Sequence, residues 1–225
     1  SDGLEGSDDD TITVTVTVTD ANEAAPVFAD GATASANAAE NQQAVGTYAA
    51  TDTDGTASLT YSIVPAGTDP ASVDHDLFSV ANGGVLTFAD APDFENPGCG
   101  ADNDANTCVV VIKVSDGLEG SDDDTITVTV TVQDLNDEDP SFSSSATPSI
   151  AENVQNVVVL SATDADAGDS VTFAITGGAD DDLFEIDGGT QLRFKTGSVP
   201  DYESSSAAGG GQAYVVVVTA SDSAD

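Results

Sequence analysis

Positive charge is almost missing from this chain. Lys113, Arg193 and Lys195 are its only Lys or Arg residues, against 41 Asp and Glu, for a formal net charge of −38. A surface of that sign repels phosphate and anionic headgroups, which argues against nucleic acid and direct membrane insertion. There is one His, no Trp and no Met. With no nucleophile elbow, phosphate loop or zinc signature either, no catalytic constellation is visible and an enzyme is not expected. No apolar run reaches transmembrane length and no signal peptide opens the sequence, which begins in mid-repeat and reads as an excerpt of something longer. The two cysteines, Cys99 and Cys108, are too few ligands for a metal site. They read as a local disulfide across the loop PGCGADNDANTC, which implies an oxidising, extracellular setting. Heavy acidity can also signal disorder, but the runs VVVIKV (109–114) and YVVVV (214–218) supply core.

What the chain does have is repetition. Residues 1–18, SDGLEGSDDDTITVTVTV, recur unchanged 114 positions later at 115–132. ATDTD (50–54) is matched by ATDAD (162–166), AEN (39–41) by AEN (151–153), and DFE (93–95) by DYE (201–203). A period of about 110 residues is the size of a domain rather than of a solenoid unit. The division expected is residues 1–19 as the last strand of a preceding repeat, 20–133 as a complete repeat, and 134–225 as a second repeat without its final strand.

Alternation of Thr with Ile or Val over 11–18 puts Ile12, Val14, Val16 and Val18 on one face, a half-buried strand. Further short strands are expected near 33–38, 45–50, 59–64, 77–80, 85–88, 109–115 and 125–132. Gly, Asp, Asn and Pro clusters separate them. The second copy follows the same order at 157–162, 171–176, 183–186, 192–194 and 214–220. Seven strands in the roughly 110 residues of the first copy, with no helical period, predict an all-β chain of tandem Greek-key, immunoglobulin-like sandwiches. The second copy stops at SDSAD, before the TITVTVTV strand of the first, while residues 11–18 form that strand without a domain. Either the sequence is cut from a continuous array, or residues 11–18 of one copy complete the second sandwich of another, a head-to-tail contact that builds filaments.

Taken in order, AEN, ATDxD, F-x-[IV], D-[FY]-E, a strand ending in SD, and D-x-N-[DE]-x-x-P-x-F resemble the cadherin repeat. The stretch at 164–175, DADAGDSVTFAI, is similar to the bacterial version found in large surface proteins. The resemblance covers essentially the whole chain. It implies about three Ca2+ at the stretch around Asp134 to Pro140. Upstream ligands would be Glu40, Asp93 and Glu95. The linker would give Asn136 and Asp137 with the carbonyls of Leu135 and Glu138. Downstream ligands would be Asp164, Asp166 and Asp222. At the first linker the resemblance leaves Asn22, Asp52, Asp54 and Asp116, and at a third junction Glu152, Asp201 and Glu203. The residues themselves suit the chemistry, since carboxylates two positions apart on extended backbone point to one side and Ca2+ takes six to eight oxygens. The sequence departs from the family pattern in having Glu23 where the linker motif prefers Asp. Neither copy has the Asn expected a few residues after DxD.

The other acidic clusters have plainer explanations. Asp8 to Asp10, Asp122 to Asp124 and Asp180 to Asp182 read as turn residues, and His75 as a surface loop residue. Asp102, Asp104 and Asn106 begin like a calcium loop but lack its Gly and terminal Glu. The leading expectation is a Ca2+-rigidified extender segment of an extracellular bacterial adhesin or surface fibre, partnered by neighbouring repeats. The alternatives are a donor-strand filament subunit and a homophilic or polysaccharide-binding module, for which Tyr48, Tyr61 and Tyr202 are the residues to test.

Overall fold

The structure, a computed structural model, describes residues 11–19, 21–54, 58–117, 123–166 and 168–222. It is all-β apart from two single-turn helices at His75–Leu77 and Asp181–Leu183. The chain forms two compact units, one of Ser1–Ala36, Ala44–Ala89 and Cys108–Val130, the other of Asn37–Gln43, Asp90–Thr107 and Thr131–Asp225.

In the N-terminal half, β1 (Val27–Phe28) pairs with β4 (Ala50–Thr51). One sheet runs β2 (Thr33–Ala39), β9 (Asp124–Gln133), β8 (Thr107–Ser115), β5 (Thr60–Ile63). The other runs β3 (Ala44–Thr47), β7 (Val85–Phe88), β6 (Phe78–Ala81). Strict alternation makes β9 the organising strand, because every second side chain enters the core. Ile126, Val128, Val130 and Val132 are 0–1% exposed, and each contributes about 1.5–3 kcal/mol by leaving water. Its neighbour β8 carries Val110, Ile112 and Val114 buried on one face and Val111 on the other. Phe78 stacks on Phe88 at 4.6 Å. Tyr48 is buried and its N–H donates to the Gly84 carbonyl at 2.8 Å. Gly84 has φ of +78°, and a Cβ there would lie 1.8 Å from the Tyr48 oxygen, so only glycine fits.

In the C-terminal half, β10 (Ser141–Phe142) pairs with β12 (Ala162–Thr163), and the order β11 (Asn156–Val159), β15 (Gln191–Phe194), β14 (Phe184–Asp187) repeats the β3–β7–β6 sheet. β13 (Thr172–Gly177) pairs with β16 (Val217–Ser221) in the register that joins β5 to β8. Leu160, Phe184, Leu192 and Phe194 form the buried centre. Residues 145–151, the counterpart of β2, form no strand.

The strand expected over residues 11–18 is not formed. The segment lies outside any sheet, with Ile12, Val14, Val16 and Val18 69–89% exposed. A β pattern specifies which face is apolar; it does not supply the partner that takes up the backbone donors and acceptors. The strands expected near 45–50 and 157–162 are each broken into two short pieces. His75, expected in a surface loop, starts a single-turn helix and is half-buried.

Candidate metal centre

Glu40 lies just past the end of β2, where Asn41 takes φ of +60° and donates its N–H to the Pro92 carbonyl. Asn tolerates that left-handed conformation better than most residues, which accounts for the Asn of AEN. Asn153 repeats it at φ +60°, bonded to the Pro200 carbonyl. The turn sends the Glu40 carboxylate inward, where it is 2% exposed. Its Oε2 accepts the Phe94 N–H at 2.6 Å and its Oε1 the Leu135 N–H at 2.7 Å. One carboxylate thus ties the DFE segment to the residues that follow β9.

Two residues further on, the same device recurs. The Asp166 N–H donates to Asp164 Oδ1 at 3.1 Å, and Asp166 Oδ2 accepts the N–H groups of Asp137 and Glu138 at 3.1 and 3.0 Å. Asn41 donates through its side-chain amide to Asp137 Oδ2. The result is a set of overlapping acidic groups, all in the second compact unit: Glu40, Glu95 and Asp137; Glu95, Asp134 and Asp166; Asp164, Asp166 and Asp169. Within each group the candidate ligand atoms lie within 4.8 Å of one another.

Such crowding is electrostatically costly. Burial, together with the charges of Glu40, Asp134 and Asp166, pushes the Glu95 carboxyl up to about 7. Burial also raises Asp166, aided by Asp164 and Asp134 and opposed by the two backbone N–H groups. Glu95 Oε1, Asp164 Oδ2 and Asp166 Oδ1 are buried and accept no hydrogen bond. The basic side chains are engaged elsewhere: Lys113 with Asp123, Lys195 with the Asp182 carbonyl, Arg193 with Glu185 and Asp187. A donor set of carboxylate oxygens, with neither imidazole nor thiolate, fits a hard divalent cation such as Ca2+.

Of the ten residues expected around this centre, Glu40, Glu95, Asp137, Asp164 and Asp166 fall in the acidic groups. Leu135 and Glu138 supply the N–H groups described. Asn136 is exposed. Asp93 is exposed and caps a turn by accepting the Asn96 N–H, and Asp222 is half-buried. Neither belongs to an acidic group among the described residues. Asp134 and Asp169 do, and neither is in the expected set. Asp134 is the first residue of the D-x-N motif and could have been found there. Asp169 is not repeated, since Ala57 stands at the matching position of the first copy.

The other two expected sites differ. At the first linker, Asp54 Oδ2 accepts the Glu23 and Ala24 N–H groups, both at 2.7 Å, and the Asp54 N–H donates to Asp52 Oδ1 at 2.8 Å. That is the Asp164–Asp166 arrangement again. Asn22 is half-buried and Asp116 buried, but no group of three carboxylates forms there among the described residues. Glu152, Asp201 and Glu203 do come together, all three exposed, with the Tyr202 N–H donating to Glu152 Oε2 at 3.1 Å.

Cys99 and Cys108 are joined in a disulfide and both are buried. Cys99 and Ala105 exchange two backbone bonds of 3.0 Å. Asn106, next in line, donates to the Phe94 carbonyl and accepts the Val132 N–H, both at 2.8 Å. The loop therefore braces the segment carrying Glu95. Asp102 and Asp104 join no acidic group among the described residues. Tyr48 is buried and the Tyr61 hydroxyl accepts the Ala50 N–H at 2.9 Å, so both are structural. Only Tyr202, 63% exposed, remains an open ring. Asp180 is buried and accepts the Val215 N–H at 2.8 Å, as Asp74 accepts that of Val109 at 2.6 Å. Asp180 thus fastens the segment that leads into β16, and Asp74 the start of β8; for Asp180 this goes beyond the turn role expected.

No family model matches the sequence. Solved structures do. A protocadherin γB4 extracellular domain superposes with a TM-score of 0.54 at 25% identity, over 79% of this chain and 27% of that one. Drosophila N-cadherin repeats EC1-4 give 0.61 at 19% identity, over 89% of this chain and 46% of the other. The human desmocollin-1 ectodomain gives 0.55 at 23% identity, over 77% and 34%. The chain thus spans between about a quarter and half of these structures. Its fold is that of cadherin-type, immunoglobulin-like β-sandwiches.

Proposed function

We propose that the chain is a Ca2+-rigidified extender segment of an extracellular adhesin or surface fibre of the bacterial kind, built of repeats at 20–133 and 134–225. The observation that carries this reading is the carboxylate-rich centre around Glu95. Its Glu95 Oε1, Asp164 Oδ2 and Asp166 Oδ1 are buried and accept no protein hydrogen bond, and the described basic side chains bond elsewhere. Negative charge held that way needs a cation from solution.

Glu40, Glu95, Asp134, Asp137, Asp164, Asp166 and Asp169 would hold Ca2+ there. Bound Ca2+ supplies the positive charge that offsets the mutual repulsion of these groups. The chain's own residues do the rest. Glu40 clips Leu135 to Phe94, and Asp166 clips Asp137 and Glu138 to the DxD turn, so every residue from 134 to 138 is held at or beside a ligand. Fixing that linker is what turns tandem domains into a spacer able to project a binding domain. The net charge of −38 and the threonine face of β9 suit a surface that must not adhere to itself. The disulfide accords with an extracellular place, and partners are neighbouring repeats of the same protein. Of the three tyrosines a polysaccharide-binding role would use, Tyr202 alone is exposed, and no observation favours that role.

Calorimetric titration of chelator-treated chain tests this. The expected result is saturable binding of about three or more Ca2+ per chain, lost in part in Asp164→Asn and Asp166→Asn. No binding heat at millimolar Ca2+ would refute the reading.

A further inference from the structure

The sequence holds a single Asn-Gly pair, Asn82–Gly83, and it lies at the tip of the β6–β7 hairpin. Ala81 pairs with Val85, so Asn82, Gly83 and Gly84 are the whole loop. Asn82 and Gly83 are exposed, and the space beside the Gly83 α-carbon is open. Among the described residues, neither the Asn82 side chain nor the Gly83 N–H has a hydrogen-bond partner. An asparagine in that setting carries its own reagents. Its side-chain carbonyl carbon is an electrophile, and the next backbone nitrogen is a nucleophile that glycine leaves unscreened.

At every other asparagine one of those requirements fails. At Asn22–Glu23 and Asn136–Asp137 the following N–H is held by a carboxylate, that of Asp54 at 2.7 Å and of Asp166 at 3.1 Å. Asn96 precedes Pro97, which has no N–H. Asn41, Asn103 and Asn153 precede Gln42, Asp104 and Val154, whose side chains screen the nitrogen. Asn106 has its amide on the Phe94 carbonyl, and Asn37 and Asn156 lie in strands. The described aspartate-glycine pairs, which could close the same ring by losing water, are also restrained. Gly31 and Gly117 donate their N–H groups to the Phe28 carbonyl and the Ser115 hydroxyl. Asp187, before Gly188 in the matching hairpin of the other half, is paired with Arg193 at 2.9 Å.

We infer that Asn82 is a site of spontaneous backbone modification. The Gly83 nitrogen bonds to the Asn82 Cγ and gives up its proton, the Cγ–Nδ2 bond breaks, and ammonia leaves. Water then opens the five-membered imide at one of its two carbonyls. One opening gives aspartate at position 82; the other routes the chain through the side chain, as isoaspartate. Water is the only co-reactant. Either product adds a negative charge to a chain already at −38. Isoaspartate also lengthens the backbone by one carbon inside a closed turn. The Gly84 N–H donates to the Ala81 carbonyl at 3.1 Å, and the Gly84 carbonyl accepts the Tyr48 N–H at 2.8 Å. The extra carbon disturbs both bonds, so the hairpin loosens from Tyr48. None of these residues belongs to the acidic centre, and the inference stands apart from the calcium reading.

The test is incubation of the 225-residue chain at mildly alkaline pH. Peptide mass spectrometry that resolves aspartate from isoaspartate and an assay for free ammonia follow it, with the free peptide ANGGV incubated alongside. Conversion confined to Asn82 is expected, with ammonia released mole for mole, acceleration as pH rises, and no isoaspartate at Asp187. Asn82→Ala should release no ammonia, and Asn82→Gln, which would have to close a larger ring, almost none. The isoaspartyl fraction, separated from the parent chain, should exchange its Tyr48 and Gly84 amides faster. An Asn82→Asp variant, which has the added charge without the extra carbon, should not. Asn82 still intact when the free peptide has converted would overturn the inference. So would earlier conversion at another asparagine, or ammonia release undiminished by Asn82→Ala.

Discussion

Residues 11–18 and 125–132 are the same eight side chains in the same order, yet Val130 is 0% exposed and Val16 is 77% exposed. Composition, propensity and periodicity are held constant between them. What differs is a partner: β9 has strands on both sides, and residues 11–18 have none among the described residues. Strand patterning is therefore a statement about the face a segment would bury, and the tertiary setting decides whether it buries it.

The acidic centre gives a second comparison of this kind. Glu40 and Glu152 sit in identical AEN turns, but the first is sealed by Leu135 and the second is exposed. Asp54 and Asp166 each gather two backbone N–H groups, but among the described residues only the second belongs to groups of three carboxylates. Motif and site are different things; the motif folds a turn, and the neighbours make it a centre.

The largest contrast should come from aspartate at the paired valines. Val130→Asp buries a charge in the first sandwich and should cost more than about 4 kcal/mol, enough to abolish its thermal transition. Val16→Asp should leave the melt of the monomer within about 0.5 kcal/mol of the parent. Equal effects would mean that the two segments share one environment.

Next in size, Glu40→Gln turns an amide donor toward two N–H groups and should destabilise the ion-free chain by about 1–3 kcal/mol. Glu152→Gln, at an exposed carboxylate with one N–H partner, should be near neutral by the same denaturant titration. The disulfide brace lies in the same range. Removing it as Cys99→Ala with Cys108→Ala should cost about 2–3 kcal/mol, and amide exchange should rise first around Phe94 and Asn106, which the loop holds.

The last contrast is one of pH. Glu95 is raised from 4.5 to about 7 in the folded chain, so between those values the folded state keeps a proton that the unfolded chain has released. Ion-free stability from this group is fully present below about 4.5 and falls as pH rises through about 7. Melts in chelator should therefore drop between pH 5 and pH 8. Melts with Ca2+ should not, because the deprotonated carboxylate is then the favoured ligand. Glu95→Gln should flatten the chelator curve.

Much of the fold was legible from residues alone. β2, β7, β8 and β9 stand where alternation and turn residues put them, and repetition exposed the domain-sized period. The short β1 and β10 were not foreseen, since two residues carry no period. That residues 11–18 are a strand without a domain was legible from the repeat, but their alternation alone predicts a half-buried strand, and alternation does not supply a partner. At the acidic centre, the resemblance implied Glu40, Glu95, Asp164 and Asp166, which do lie in acidic groups. Asp169, which has no counterpart in the first copy, joins an acidic group without having been expected there, and Asp93 lies outside the acidic groups among the described residues, its carboxylate accepting the Asn96 N–H.

The most direct test of the central claim is small-angle scattering, at concentrations where the chain is monomeric, with Ca2+ and with chelator. The account predicts a longer, stiffer particle with Ca2+ and a shorter, more variable one without it, and no such change in an Asp164→Asn, Asp166→Asn double variant. Identical scattering in both conditions would contradict it, leaving an acidic sandwich pair whose linker owes nothing to calcium.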